Sequence, residues 1–167
     1  MMIRLLYISL FIFCFFQETE RKIPDVAVKN LDGKNIRTSG LSNNGKPILI
    51  CFWATWCKCC KSEFNTISEK YDDWKKETGV KVITISVDDS KTSAKVAPFV
   101  NANGWDFETY LDVNQDFKRA MNVQTPPHNF LIDGKGNIVW ESASYVEGSE
   151  TKMYELIKKL ARGEKIN

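Results

Sequence analysis

The sequence predicts an α/β fold in which a mixed central sheet is covered by helices on both faces. First, residues 47–53 form an unbroken apolar run, which is typical of a strand buried on both sides. Second, apolar residues recur at helical spacing between residues 60 and 74, and a second strand-like run follows at residues 80–87. Third, the later part of the chain adds a hairpin and a last helix, so we expect parallel and antiparallel strands in one sheet.

The first elements each carry a local signal. Val26–Val28 and Ile36 flank Asp32-Gly33, a turn pair typical of hairpins, and predict a small amino-terminal β-hairpin. The helix after the first buried strand is expected to end at Gly79, because glycine commonly closes helices. The apolar stripe of this helix consists of Cys60, Phe64, Ile67, Tyr71 and Trp74.

Beyond residue 87 the predicted elements are shorter. A helix is expected to start at Asp88–Ser90 and to be disturbed by Pro98. The glycine-rich segment at residues 133–136 joins two strands as a hairpin. In order, the predicted elements are a helix up to Gly104, a strand at 107–111, a helix at 114–121, strands at 130–132 and 138–140, and a helix from Ser149.

The composition limits the class of protein. The 167 residues are 43% hydrophobic and 26% charged, which is typical of a globular chain and sufficient for one domain. Lys and Arg total 23 and Asp and Glu total 21, so the formal net charge is only +2. A nucleic-acid-binding protein usually carries a strong basic excess, so we expect no nucleic-acid partner.

Residues 1–20 are predicted to be a targeting segment, and residues 21–167 the folded domain. Arg4 precedes an apolar run from Leu5 to Phe16, which is the layout of a secretory signal peptide. The run is shorter than the roughly 20 residues of a membrane span, but no small-x-small cleavage site follows it. An uncleaved membrane anchor, tethering the protein through residues 3–16, is therefore the alternative. Both interpretations predict an exported protein in the periplasm or cell envelope, where disulfides persist.

Three cysteines within four positions carry the functional signal. Cys57 and Cys60 form a C-x-x-C pair at the junction between the buried strand and the following helix. The first N–H groups of a helix are unpaired and favour a thiolate, so Cys57 is the predicted nucleophile. Cys60 lies in the apolar stripe and is the predicted inner, resolving sulfur, close enough to form a disulfide. Cys57 would attack a substrate disulfide, and Cys60 would then resolve the mixed disulfide.

The other two cysteines of this region are interpreted differently. Cys59 shares a polar line with Glu63, so we expect it to point away from the core. We interpret it as a spectator, because a bridge to Cys57 would join side chains on different helix faces. The alternative is a second reactive thiol that tunes the potential or captures partners. Cys51, in the buried strand with no charge expected nearby, is interpreted as inert packing.

The residues around the pair resemble a known active site. Phe52-Trp53-Ala54, leading into Trp56-Cys57 and Cys60, resembles the signature of thioredoxin-like proteins. The amino-terminal hairpin, the extra segment at residues 90–111 and the run that follows Pro127 resemble the exported TlpA/ResA branch. The resemblance extends from residue 23 to the end of the chain. It implies a thioredoxin-like three-layer sandwich with a cis-proline loop beside the dithiol.

The same resemblance implies an activity and partners. Members of the branch are disulfide reductases, so the expected substrates are protein disulfides and the expected electron donor is a membrane-embedded thiol protein. The sulfurs carry the chemistry, and we expect no metal and no other cofactor. Cys57 and Cys60 match the redox pair, and Pro127 matches the cis-proline. Glu63 matches an acidic residue near the dithiol that could exchange a proton with Cys60, although a solvated helix carboxylate is an equal alternative.

Four residues are expected to contact the substrate, namely Trp56, Pro126, Pro127 and His128. In this fold the residue before the cis-proline pairs with the substrate backbone. Because Pro126 has no N–H to donate, we predict that only its carbonyl takes part, which weakens the grip on the substrate. His128 is predicted to lie at the substrate rim near Cys57, where its protonated form would favour the thiolate.

The sequence also departs from the family pattern. Cys51 stands where cytoplasmic thioredoxins have a buried acid, which leaves Glu63 as the candidate proton carrier. The dipeptide Lys58-Cys59 is unlike the dipeptides of familiar members, so no reduction potential is transferred. The loop at residues 123–127 lacks the pattern of members that act in cytochrome c maturation, so that substrate is not transferred either.

Other functions explain the sequence less well. A copper(I) or zinc site on the same fold would use Cys57, Cys59, Cys60 and His128, but structural zinc sites pair two separate ligand clusters. A peroxidase would need a threonine and a proline before the first cysteine, where this chain has other residues. A non-catalytic interaction domain would not need an intact C-x-x-C.

Overall fold

The computed structural model describes residues 20–166. The predicted targeting segment lies outside the described residues, apart from Glu20. The strands are β1 (Ala27–Asn30), β2 (Asn35–Arg37), β3 (Ile48–Trp53), β4 (Lys81–Ser86), β5 (Glu108–Leu111), β6 (His128–Ile132) and β7 (Ile138–Ser142). The α-helices are α1 (Lys58–Thr78), α2 (Val96–Asn103), α3 (Asp116–Ala120) and α4 (Ser149–Ala161).

The strands form one mixed sheet of seven, in the order β2-β1-β5-β4-β3-β6-β7. Strand β3 is parallel to β4 and antiparallel to β6, and all six of its residues are buried. Strands β4 and β5 are also parallel, whereas β1 joins the far side of β5 in antiparallel fashion. The predicted α/β class and the mixed sheet are therefore confirmed, and β3 occupies the doubly covered position that its apolar run predicted.

Helices cover both faces of the sheet. Neighbouring side chains of a strand point to opposite faces, so Phe52 and Trp53 enter different halves of the core. Phe52 packs against Phe117 of α3, with ring centroids 5.2 Å apart. Trp53 packs against Phe64 of α1, with ring centroids 5.6 Å apart, and α4 lies against α1. The three-layer arrangement is the one that the sequence predicted.

Helix α1 begins and ends where its sequence signals predicted. Every residue of the predicted apolar stripe is buried. Gly79 closes the helix in the left-handed conformation, with φ of 69°, and its N–H donates to the carbonyl of Lys75. Because the stripe lies on the core side of the helix, the first turn of α1 is held firmly against the carboxyl end of β3.

Both predicted hairpins are present, and one helix boundary differs from its prediction. Strands β1 and β2 pair around Gly33, whose φ is 82°, and β6 pairs with β7. The prediction that a helix starts at Asp88–Ser90 is wrong, because α2 begins only at Val96. The carboxylate of Asp89 accepts the N–H groups of the following residues and closes a tight turn instead. Within residues 20–166 no helix has both the length and the apolar character to cross a bilayer.

Candidate active site

Cys57 lies at the amino-terminal cap of α1. Its backbone is extended, with φ of −87° and ψ of 102°, and the helix begins at the next residue. The Cys57 Sγ accepts a hydrogen bond from the backbone N–H of Cys60 at 3.2 Å. The unpaired N–H groups and the dipole of a helix stabilise negative charge at this position. The structure therefore provides the environment in which a Cys57 thiolate is favoured.

Cys57 and Cys60 are joined by a disulfide, with an S–S distance of 1.98 Å and a Cα–Cα distance of 5.3 Å. Cys60 is completely buried, whereas 7% of Cys57 is exposed. A partner that approaches from solvent therefore meets Cys57 first. This difference in exposure is the one expected between an attacking and a resolving cysteine.

The structure brings a third sulfur to the same place. Cys59 is exposed, and its Sγ lies 3.8 Å from the Sγ of Cys57. The expectation that different helix faces keep these two side chains apart is wrong. Helical spacing does not apply to Cys57, because its extended backbone at the cap turns its side chain back over the first turn.

Glu63 is buried, with only 1% of the residue exposed, so the alternative of a solvated helix carboxylate is wrong. Its Oε1 accepts a hydrogen bond from the side-chain amide of Asn129 at 2.6 Å. Its Oε2 has no partner among residues 20–166. Burial raises the pKa of Glu63 to about 7, assisted by the negative charge of Glu150 and opposed by the hydrogen bond from Asn129. A carboxyl group with this pKa can take up or release a proton near neutral pH.

Cys51 has a charged neighbour that the sequence interpretation did not foresee. It is completely buried on β3 and stands opposite Asn129 on β6. Burial, together with the charge of Glu63, raises the pKa of the Cys51 thiol. The thiol form is therefore strongly favoured, which agrees with an inert role, although the expectation of no nearby charge is wrong.

Sequence reasoning missed two polar residues that build the site. Asn129 donates to Glu63, and its only signal was an amide within an otherwise apolar strand. Asp88 is fully buried, and its carboxylate accepts hydrogen bonds from the N–H of Thr55 at 2.8 Å and from the Thr55 hydroxyl at 2.7 Å. The hydroxyl of Ser86 also donates to it, at 2.8 Å. Asp88 thus ties the loop before Cys57 to the end of β4.

The four residues expected to contact substrate have different surroundings. Trp56 is 62% exposed, whereas Pro127 is buried and Pro126 is half-buried. The peptide bond between Pro126 and Pro127 is cis. His128 is 8% exposed and stacks on Phe130, with ring centroids 4.6 Å apart. Burial lowers the pKa of His128, which favours its neutral form, and its role at the substrate rim stays a prediction.

No group of three or more His, Cys, Asp or Glu side chains within residues 20–166 is arranged to hold a metal ion. The sulfurs of Cys57 and Cys60 are bonded to each other. The arrangement therefore favours sulfur exchange over the copper or zinc alternative.

The buried carboxyl of Glu63 makes stability depend on pH. Its pKa is about 7 in the folded protein and 4.5 ordinarily, so the folded state retains a proton that the unfolded chain loses. Its contribution to the free energy of unfolding is present below about pH 4.5 and is lost as the pH rises to about 7. Between about pH 5 and pH 8 we expect the oxidised protein to lose roughly 2–3 kcal/mol through this group.

Urea unfolding of the oxidised protein and of Glu63→Gln at both pH values measures this loss. The Gln variant should lack that part of the pH dependence, whereas Glu69→Gln, at an exposed position of the same helix, should retain it. Equal pH dependence in the native protein and in Glu63→Gln would contradict the assignment.

The buried carboxylate of Asp88 should be costly to remove. Asp88→Ala leaves the N–H and hydroxyl of Thr55 without their partner, so we expect the free energy of unfolding to fall by roughly 2–4 kcal/mol. Asp89→Ala is the matched control, because Asp89 is exposed, and its loss should stay below about 1 kcal/mol. Urea unfolding of both variants tests the difference, and equal losses would contradict an anchoring role for Asp88.

Comparison with known proteins places this site in a family. The family model described as "AhpC/TSA family" matches residues 19–141. The "Thiol-disulfide oxidoreductase ResA" of Bacillus thuringiensis is 34% identical over 143 residues, covering 83% of this chain and 78% of the relative. The sporulation thiol-disulfide oxidoreductase A of Bacillus subtilis is 28% identical over 124 residues, covering 73% of each chain.

Solved structures agree with the sequence relatives. The solution structure of an uncharacterized thioredoxin-like protein from Porphyromonas gingivalis superposes with a TM-score of 0.76 and 44% identity, covering 84% of this chain and 92% of that one. StoA from Bacillus subtilis, at 24% identity and a TM-score of 0.63, covers 80% of this chain and 97% of its own and shares the fold. The chain therefore belongs to the AhpC/TSA family and has the thioredoxin-like fold, with thiol–disulfide oxidoreductases among its relatives.

Proposed function

We propose that this protein is an exported thiol–disulfide oxidoreductase that reduces disulfides in other proteins. The observation that carries the proposal is the Cys57–Cys60 disulfide at the start of α1, with one sulfur reachable and the other enclosed. The names of the relatives support the reaction class.

The reaction runs from the reduced form of the pair. The Cys57 thiolate attacks one sulfur of a substrate disulfide, and the other substrate sulfur leaves as a thiolate and takes a proton. Cys60 then attacks the Sγ of Cys57, and the second substrate thiolate leaves. The substrate gains two electrons, and Cys57 and Cys60 become the disulfide that the structure contains.

Glu63 is the proposed proton carrier for Cys60. The Cys60 thiol is enclosed and must lose its proton before it attacks. Glu63 follows Cys60 by three positions on α1, so the two side chains are neighbours on the helix surface. With a pKa of about 7, the Glu63 carboxylate can accept the proton of Cys60 during reduction and return it in the reverse direction.

The substrate is proposed to bind over Trp56 and the loop at residues 126–128. The exposed indole of Trp56 precedes the nucleophile directly and offers apolar contact area. Pro126, Pro127 and His128 begin β6, the strand that pairs with β3. In this assignment Pro126 contributes its carbonyl to the substrate backbone and has no N–H to contribute.

The oxidised pair must be reduced again after each turnover. For an exported protein we propose that the electrons come from a membrane-embedded thiol protein. Residues 3–16 would serve as the export signal or as a membrane tether. Fractionation of cells that express the full chain tests this proposal. Recovery with the membrane or the periplasm supports export, and recovery of the intact chain in the cytoplasm contradicts it.

Loss of the nucleophile should abolish the reaction. Cys57→Ser should lower the rate of insulin disulfide reduction at least about 100-fold, because a hydroxyl does not exchange with disulfides. Cys51→Ala, at the buried cysteine, is the matched control and should remain within a few fold of the native rate. A midpoint potential of the pair below about −200 mV supports the reducing direction, and a value near −120 mV contradicts it.

The grip of the loop can be increased by restoring a backbone donor. Pro126→Thr supplies an N–H next to Pro127, so mixed disulfides with protein partners should be held more tightly. We expect the dissociation rate of a trapped partner peptide to fall several-fold, consistent with one added hydrogen bond of about 1 kcal/mol. Unchanged trapping would contradict the assigned role of the Pro126 backbone.

A further inference from the structure

We infer that Cys59 is a second resolving thiol, which attacks the Sγ of Cys57 in the mixed disulfide and releases the substrate in place of Cys60. The inference rests on the proposed function, because it requires Cys57 to form a mixed disulfide. It assigns a catalytic role to a residue that lies outside the C-x-x-C pair.

The geometry at Cys57 carries the inference. The Sγ of Cys59 lies 3.8 Å from the Sγ of Cys57, and Cys59 is the hydrogen donor of this contact because a disulfide sulfur holds no proton. The same Cys57 sulfur is bonded to Cys60. Two thiols of the first turn of α1 therefore converge on one sulfur, which is the atom that a resolving thiol must attack.

The two thiols differ in their access to solvent. Cys59 is exposed, so its proton can pass directly to water. Cys60 is enclosed, and the nearby proton acceptor is the buried carboxyl of Glu63. Resolution by Cys59 therefore does not depend on the proton transfer that resolution by Cys60 requires. The exposed thiol also lies on the side from which a protein substrate approaches Cys57.

The step balances without any added oxidant. The Cys59 thiolate forms a bond to the Cys57 Sγ, the bond from Cys57 to the substrate sulfur breaks, and the substrate leaves as a thiolate that water protonates. The product is a Cys57–Cys59 disulfide. Cys60 then attacks Cys57 and expels Cys59, an exchange with no net change in electrons. The structure shows the end state, with Cys57 bonded to Cys60 and Cys59 free.

The inference changes how trapping variants behave. In an ordinary C-x-x-C enzyme, removal of the second cysteine preserves the mixed disulfide. Here Cys60→Ala should not preserve it, because Cys59 remains in contact with the reacting sulfur. Only removal of both thiols should trap a substrate on Cys57.

The test uses the full chain with Cys14→Ser in every variant and 5,5′-dithiobis(2-nitrobenzoate) as the disulfide probe. One equivalent is added to the reduced forms of Cys59→Ala, Cys60→Ala and the double variant, and the released thionitrobenzoate is counted. Trypsin cleaves after Lys58, which lies between Cys57 and Cys59, so a Cys57–Cys59 disulfide appears as two linked peptides. We expect Cys60→Ala to release two equivalents and to yield the linked peptides. The double variant should release one equivalent and keep its adduct at least ten times longer.

The two proposals fail in different ways. If Cys59→Ala, which retains the Cys57–Cys60 pair, does not release two equivalents, the proposed function itself is wrong. If Cys59→Ala does so but Cys60→Ala keeps its adduct as long as the double variant, only the role of Cys59 is overturned. Because Cys60 is buried, Cys60→Ser is measured beside Cys60→Ala and must give the same product, which separates the chemistry from an effect of the cavity.

Discussion

The start of α1 at the carboxyl end of β3 is the constraint on which the whole site depends. It places Cys57 at the helix cap, where the N–H of Cys60 donates to its sulfur. The carboxylate of Asp88 holds Thr55, two residues earlier, and so couples this loop to the neighbouring strand. Because the buried stripe of α1 fixes the helix against the sheet, the cap position and its electrostatic field are fixed as well.

A gradient of exposure along the first turns of α1 organises the chemistry. Cys59 is open to solvent, Cys57 is barely exposed, and Cys60 and Glu63 are enclosed. Sulfur exchange with another protein requires a reachable atom, whereas controlled proton transfer benefits from a carboxyl group removed from water. One short helical segment supplies both, because neighbouring positions on a helix face different surroundings.

Much of the fold could be predicted from the sequence because its signals are local. The apolar run of β3, the stripe of α1 and the closing Gly79 each depend on residues close in the chain. The start of α2 could not be predicted in the same way. Asp89 there uses its side chain to close a turn, which competes with the helix start that its residue type suggested.

The sequence by itself determined the fold class, the C-x-x-C pair and the family resemblance, because spacing and residue type suffice for these. Only the tertiary structure decided that Glu63 is buried beside Asn129, since those residues lie on different elements that meet across the core. It also decided that Cys59 contacts Cys57. The position of a side chain at a helix cap follows from local backbone geometry, and the periodicity of the helix does not report it.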